Sequence, residues 1–588
     1  KMLDKNKGAE PFVLHDGPPF TNGDVHVGTA LNKVLKDTII RFKNAQGYYT
    51  PYIPGWDCHG LPIEFKVTKK LRDKKKEYDN SSLRKSCAEF SKEFIEIQRK
   101  QFKRLGVLAD WEQEYRTMNP AYEAEILRTF ADFVEKGLIY RSKKPIYWSI
   151  PCSTALAEAE IEYKDHVSPS IYVPFSLADE SNTSVVIWTT TPWTLPANMA
   201  VAVHPREIYA KVKVDNSYYW VGESLFDHFI KVCNFEHAEI VHTCGGNELA
   251  GKICRHPFID RESPILEAEY VTMDSGTGCV HIAPGHGLDD YLTGLDHNIE
   301  VYCPLDDNGC YLKDDFMPEE LVGLSVLDKN NGCAANQKVL EILTRQKRLL
   351  AQENHHHQYP HCWRSKTPVV FRAMDQWFVS LDKNNLRKNC IEKLHEVNFT
   401  PDWGANRIKG FLESRPDWCI SRQRSWGVPI PVFFDDEGNP LLDSKLIRFL
   451  ANKVEEHGSD IWFSSDEESL LEGYELDDQW KDKKLVKGGD TLDVWIDSGC
   501  SHRSVLRDKE DLSWPADLYL EGSDQHRGWF QSSLWTSMTS YESAPYKRIL
   551  THGFVVDGDG RKISKSDGKP QTADSYVTKY GADVLRLW

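Results

Sequence analysis

Pro18-Pro19-Phe20-Thr21-Asn22-Gly23-Asp24-Val25-His26-Val27-Gly28-Thr29 decides the fold. The run Phe12-Val13-Leu14 before it is short and apolar and reads as a buried parallel strand. Residues 16 to 23 are so dense in Gly, Pro and Asn that the chain must turn there. Beyond it, Leu31, Val34, Leu35, Ile39 and Phe42 form a helical apolar stripe that ends near Gly47. His26 and Gly28 therefore sit at a helix N-terminus, where backbone N–H groups and the helix dipole favour an anion. Gly28 removes a side chain that would hold a phosphate off the backbone. An ordinary helix cap with an incidental histidine reads the same way.

A second tract lies far downstream. His552-Gly553-Phe554-Val555-Val556 leads into the turn Asp557-Gly558-Asp559-Gly560 and then Lys562-Ile563-Ser564-Lys565-Ser566. Lys562 and Lys565 are point charges on flexible stems, suited to the charge that builds on a leaving pyrophosphate. Ser564 and Ser566 add hydrogen bonds to phosphate. Alone, such a loop reads as solvated and basic. As a pair, the two tracts suggest a nucleoside triphosphate gripped from two sides.

The pair resembles the HxGH and KMSKS signatures of class I aminoacyl-tRNA synthetases. The text around Trp56-Asp57-Cys58-His59-Gly60, Trp418-Cys419-Ile420-Ser421-Arg422, Asp493-Val494-Trp495 and Gly522-Ser523-Asp524-Gln525-His526 resembles the isoleucine-specific members, of bacterial and mitochondrial type. The resemblance runs over essentially the whole chain. One departure stands out: the fourth signature residue is Thr29 where the family has His. Thr can donate to a phosphate but carries no imidazolium charge.

The resemblance implies an α/β fold, a doubly wound parallel sheet (a Rossmann-like catalytic domain) interrupted by an inserted β-rich editing domain. The expected division is 1–165 and 356–545 for the two catalytic halves, 166–355 for the insert, and 546–588 for the lysine loop and the start of a stem. Short β-type runs such as Val185-Val186-Ile187-Trp188 and Tyr209-Ala210-Lys211-Val212, punctuated by Gly, Asn and Asp, agree with the insert. In the family a helical anticodon-reading domain follows, and none is expected within these residues.

The resemblance also places the sites. The amino-acid pocket is expected at Pro18, Asp57, Trp495, Gln525 and Trp529, with Asp57 pairing the substrate ammonium and the tryptophans walling an aliphatic side chain. ATP is expected at His26, Gly28, Thr29, Gly522, Asp524, Gln525, His552, Phe554, Lys562, Ser564 and Lys565. Of these, His26, Thr29, Lys562 and Lys565 are assigned to catalysis. The reaction implied joins L-isoleucine to ATP as an adenylate and passes it to tRNA(Ile), with Mg2+ accompanying ATP. Trp418, Arg422, Arg424 and Trp426 are expected to guide the tRNA 3′ end.

A pocket separates substrates differing by one methylene by only ~1–3 kcal/mol. A hydrolytic site that removes valine is therefore expected in the insert. The segments Thr189-Thr190-Thr191-Pro192-Trp193 and Gly276-Thr277-Gly278-Cys279-Val280-His281 resemble the family's editing text and assign Thr190, Thr191, Asn198, His281 and Asp290.

Bulk properties bound the rest. The chain has 588 residues, more than one core can fill. Its 72 Lys+Arg against 88 Asp+Glu give a net charge of −16, so tRNA must be met by local basic surface. Fourteen cysteines form no CxxC pair, and no secretory signal opens the chain, so reduced thiols in a matrix or cytosol are expected. Some family members carry zinc on paired cysteines. Here Ser365 stands three positions after Cys362, and no protein-bound metal is expected. No run reaches the ~18 apolar residues of a membrane span. The setting expected is a mitochondrial matrix or, alternatively, a bacterial cytoplasm, and the protein a monomer. Three other readings fit parts of the text: a valine-specific synthetase, a catalytically impaired tRNA-binding relative because of Thr29, and an unrelated adenylyltransferase.

Overall fold

In the computed structural model, residues 3–327, 332–507, 509, 511–556, 558, 560 and 572–588 are described. Lys562, Ser564 and Lys565 lie outside them. The described residues form two compact units: Lys1–Tyr140 with Trp377–Trp588, and Arg141–Gln376.

The first unit is built on a four-stranded parallel sheet. Leu14–His15 pairs with Leu518–Gly522, which pairs with Arg548–His552, which pairs with Asn398–Thr400. The turn after Leu14–His15 leads into the helix Val27–Ala45, as the Gly/Pro density and apolar stripe predict. The helix lies differently from that stripe, however. Phe42 is exposed, while Asn32, Lys33, Lys36 and Asp37 are buried with Ala30 and Ile40. The buried face is chosen by charge pairing across the sheet rather than by apolar content.

The helix Trp529–Tyr541 is buried along almost its whole length. Its small polar residues make this possible by bonding to backbone. Thr536 Oγ1 donates to the Gly499 carbonyl at 2.8 Å, and Tyr546 OH donates to the Phe530 carbonyl at 3.0 Å.

The second unit carries a ten-stranded sheet of mainly antiparallel pairing. Its longest pairing joins Ile161–Leu177 to Ala351–Cys362, with partners running from Tyr172 with Ala351 to Ile161 with Cys362. That continuous ladder explains why the unit reaches beyond 166–355 on both sides. Residues 161–165 and 356–362 are inside one strand pair, and a cut at 166 or 355 would sever it. Among the described residues no helix is long and apolar enough to cross a membrane.

Candidate active site

The first candidate site lies at the carboxyl ends of the parallel strands, where open α/β sheets bind ligands. His26 is the N-cap of the helix Val27–Ala45. Its Nδ1 accepts from the backbone N–H of Gly28 at 3.1 Å and of Thr29 at 3.3 Å. Nδ1 must then be unprotonated, so the proton of the neutral ring is on Nε2, 3.0 Å from Thr29 Oγ1. A Cβ on Gly28 would stand 2.9 Å from His26 Cε1, so the glycine makes room for the imidazole. The chain returns here after the lysine loop: Thr572 bridges His26, and Ala573 N–H donates to the Val25 carbonyl at 2.9 Å.

Across the sheet, Gly522 and His552 are register partners on neighbouring strands. The amide of Asn32 lies 3.1 Å from His552 Nε2 and 2.9 Å from Glu521 Oε2, tying the helix to both strand ends. Asp524 and Phe554 are exposed beside them.

The amino-acid residues also come together. Trp529 is buried and stacks on Tyr519 with ring centres 4.1 Å apart, and its Nε1 donates to the Ser498 carbonyl at 2.9 Å. Gln525 Oε1 accepts from Trp529 N–H at 2.9 Å. A Cβ on Gly528 would lie 2.8 Å from the Trp495 ring, and one on Gly17 would lie 3.0 Å from the Trp529 ring. Gly17 therefore faces one tryptophan while Gly528 seats the other. Asp57 joins through the backbone, its N–H donating to the Pro19 carbonyl at 3.0 Å. Burial first, and Asp497 second, push its carboxyl well above the ordinary range. A cation placed beside it would restore its charge.

Beneath the site is a charge cluster that the sequence reading missed. Asp16 accepts from Lys36 Nζ at 2.7 Å, from Tyr52 OH at 2.8 Å and from Gly55 N–H at 3.2 Å, and it also pairs with Lys33. Lys36 in turn pairs with Glu521 at 2.6 Å. Asp16, Lys33 and Lys36 are fully buried. Burial lowers the Lys33 ammonium to about 8, against the pull of Asp16. The two lysines outweigh burial at Asp16 and hold its carboxyl below the usual range. The one sequence signal was a lysine pair at i, i+3 on a helix leaving a Gly/Pro turn.

In the second unit, Thr190 and Thr191 follow the strand Thr183–Thr189 and lead into the turn Pro192–Ala197. His281 sits between the two ends of that turn. Its Nε2 lies 2.8 Å from Thr194 Oγ1, and its Nδ1 lies 3.4 Å from Asn198 Nδ2. Thr194 Oγ1 already donates to the Thr191 carbonyl at 2.8 Å, so it accepts the Nε2 proton. Burial, with His286 second, lowers the His281 pKa to about 4, which agrees with this neutral ring. Asn198 Oδ1 accepts from Ser263 Oγ at 2.6 Å, and the Asn198 carbonyl accepts from Arg261 at 2.8 Å. Asp290 accepts from Ala283 N–H at 2.9 Å and from Tyr270 OH at 3.4 Å, and burial pushes its carboxyl up to about 6.

Comparison with known proteins identifies the family. The family model of tRNA synthetases class I (I, L, M and V) matches residues 1–588. The chain belongs to this family. It is 49% identical over 591 residues to an isoleucine–tRNA ligase of Kosmotoga olearia, covering 100% of this chain and 63% of that protein. It is 48% identical to an isoleucine–tRNA ligase of Petrotoga mobilis, covering 99% and 62%. The chain thus spans less than two thirds of the length of these relatives. A solved LeuRS-tRNA-LeuAMS ternary complex from Agrobacterium radiobacter K84 matches at a TM-score of 0.46 and 17% identity, covering 98% of this chain and 69% of that one.

One placement in this synthetase chain departs from expectation. Trp418, Arg422, Arg424 and Trp426 are buried. Trp418 Nε1 donates to Asp493 at 2.8 Å, Arg422 pairs with Asp493 at 3.1 Å, and Trp426 Nε1 donates to the Cys58 carbonyl at 2.6 Å. With no exposed ring face, Trp418 and Trp426, together with Arg422, hold the segments around Cys58 and Asp493 rather than stack on a tRNA end.

Proposed function

We propose that the chain activates L-isoleucine with ATP and passes it to tRNA(Ile), and that the second unit hydrolyses mischarged valine. The observation that supports the reading is the pairing of Gly522 with His552 at the carboxyl ends of a parallel sheet, with Gln525 on Trp529 and Trp495 against Gly528, in a chain about half identical to isoleucine–tRNA ligases.

In this reading the substrate ammonium pairs with Asp57 and the side chain lies against Trp495, Trp529 and Pro18. The substrate carboxylate attacks the α-phosphate of ATP in line, and pyrophosphate leaves. Such chemistry needs position and charge rather than a side-chain nucleophile. The Nε2 proton of His26, once Thr29 releases it, supplies a hydrogen bond, and the ammonium groups of Lys562 and Lys565 supply the charge. Mg2+ accompanies ATP in this reading, held largely by phosphates and water. In the second unit, Thr190 and Thr191 face the ester, Asp290 pairs the ammonium, and His281 positions Thr194 and Asn198.

Pyrophosphate exchange with isoleucine and with valine tests the first claim. Exchange with isoleucine by a large margin supports it. A preference for valine, or no exchange with any amino acid, defeats it. The protein is proposed to act as a monomer, checked by sedimentation. The relatives compared are bacterial, which favours a bacterial cytoplasm over a mitochondrial matrix. Import of the protein into isolated mitochondria would reverse that preference.

A further inference from the structure

In the second unit, the hairpin of Ile253–Arg255 with Glu262–Glu267 grips the turn Pro192–Ala197. Its register pairs Cys254 with Ser263 and Arg255 with Glu262, so residues 256–261 form the loop. His256 N–H closes that loop on the Arg261 carbonyl at 2.9 Å. Three side chains then reach the turn. His256 Nδ1 accepts from Ile259 N–H at 3.1 Å, so its proton is on Nε2 and is donated to the Leu195 carbonyl at 2.9 Å. Arg261 Nη1 donates to the Pro196 carbonyl at 3.2 Å and to the Asn198 carbonyl at 2.8 Å. The Arg261 guanidinium lies 4.6 Å from the ring centre of Tyr302 and 4.5 Å from that of Phe316, which steady it. Ser263 Oγ donates to Asn198 Oδ1 at 2.6 Å.

These bonds converge on Asn198, which is fully buried. Its N–H donates to the Leu195 carbonyl at 2.9 Å. Its Nδ2 donates to the Ala200 carbonyl at 2.7 Å and lies 3.4 Å from His281 Nδ1. A carbonyl only accepts, so the amide nitrogen is on the Ala200 side and Oδ1 faces Ser263. Both amide hydrogens are then spent, one on Ala200 and one on His281. His281 Nδ1 accepts, and its ring proton is on Nε2, 2.8 Å from Thr194 Oγ1. Thr194 donates in turn to the Thr191 carbonyl at 2.8 Å. The donors run in one direction, from Ser263 through Asn198, His281 and Thr194 to Thr191. Both imidazole nitrogens are used inside this chain.

We propose that Ser263 and Arg261 are positioning residues for the hydrolysis of mischarged valine. They hold Asn198 at its Oδ1 and at its carbonyl. Asn198 thereby fixes His281 as the Nε2–H tautomer, and His281 sets Thr194 and Thr191 in place. The inference rests on the second unit being the hydrolytic site. Neither Ser263 nor Arg261 touches the substrate in this scheme, so both act on kcat and not on KM.

The test uses the whole chain, with histidine labelled with nitrogen-15. Ring shifts report which nitrogen carries the proton, and the His281 signals are those lost in His281→Gln. Wild type should show the Nε2–H tautomer. Ser263→Ala should lose that single tautomer, and Ser263→Thr, which keeps the hydroxyl, should restore it. Deacylation of preformed Val-tRNA is measured on the same proteins. Ser263→Ala leaves a buried acceptor without its donor and should lower kcat by about 5- to 150-fold. KM and isoleucine-dependent pyrophosphate exchange should not change. Arg261→Met should also lower kcat, and Arg261→Lys should recover part of it; this pair decides the matter if the Ser263 variants fail to fold. An Nδ1–H ring in wild type, full hydrolysis by Ser263→Ala and Arg261→Met, or a loss of kcat with the tautomer unmoved would overturn the proposal. Absence of hydrolysis by wild type, with the Nε2–H ring present, would defeat the hydrolytic role and leave the hold on His281 standing.

Discussion

The imidazole Nε2 of His26 lies 3.0 Å from Thr29 Oγ1, three residues along the same helix. With Nδ1 accepting from two backbone N–H groups, the proton on Nε2 is donated to that hydroxyl. A triphosphate that takes this proton must first displace Thr29. Thr29→Val keeps the shape and removes the acceptor. One hydrogen bond is worth ~0.5–1.5 kcal/mol net, so this variant should lower KM for ATP in pyrophosphate exchange by about 2- to 10-fold. If KM rises instead, the threonine hydroxyl serves the phosphates directly. Thr29→His should raise kcat, because it adds a donor that can carry charge.

Asp16 joins Lys33, Lys36, Tyr52 and Gly55 at the foot of the sheet. Asp16→Asn leaves two ammonium groups buried with one carboxylate, Glu521, between them. Breaking a buried ion pair costs about 3–5 kcal/mol. Urea unfolding of the variant should show a loss of that order, larger than for Asp16→Asn paired with Lys33→Met. A loss under ~1 kcal/mol would mean that the cluster is solvated in solution.

The strand, turn and helix around His26 were legible because Gly, Pro and Asn density and an apolar run act locally. The buried face of that helix was not. Phe42 was read in the apolar stripe and is 59% exposed, while Lys33 and Lys36, outside that stripe, are buried. The Lys36 partner Glu521 lies far along the chain, and local periodicity carries no information about it. The same limit hid Thr194, Ser263 and Tyr270. Each sits in ordinary strand or turn text and acquires a role only when His281, Asn198 or Asp290 is folded against it. The buried Trp418 and Trp426 show the converse. Aromatic and arginine text suited to nucleic acid is equally suited to a core when Asp493 or a carbonyl is there to accept.

Asp290 has a carboxyl pushed up to about 6 by burial. It is therefore neutral below that pH and charged above it. If it pairs the ammonium of a misactivated amino acid, hydrolysis of Val-tRNA should fall as pH drops through about 6, and Asp290→Ala should lack this step. The variant should accumulate Val-tRNA while its pyrophosphate exchange rate stays within about twofold of wild type. Deacylation assays on preformed Val-tRNA between about pH 5 and 8 check both points. Normal clearance by the variant removes Asp290 from the site.

His59 is buried between Asp497, 2.7 Å from Nδ1, and Glu123, 3.3 Å from Nε2. Burial alone would lower its pKa, but the hydrogen bonds to Asp497 and Glu123 prevail and raise it to about 9. The folded form therefore holds a proton that the unfolded chain, near 6.5, releases. The resulting stability is fully present below about pH 6.5 and is lost as pH rises through about 9. Asp497 contributes with the opposite consequence for its own charge: burial raises its carboxyl to about 6, so ionising it costs stability between the ordinary carboxylate range and that value. Its charge is then offset by the imidazolium. Both effects therefore lower stability as pH rises, Asp497 up to about pH 6 and His59 from about pH 6.5 to 9. Thermal unfolding should show Tm declining from about pH 7 to 9.5. In His59→Gln with Asp497→Asn, where neither partner titrates, that decline should flatten while the double variant remains folded. An equal slope in wild type and double variant would mean that His59 is neutral in the folded protein.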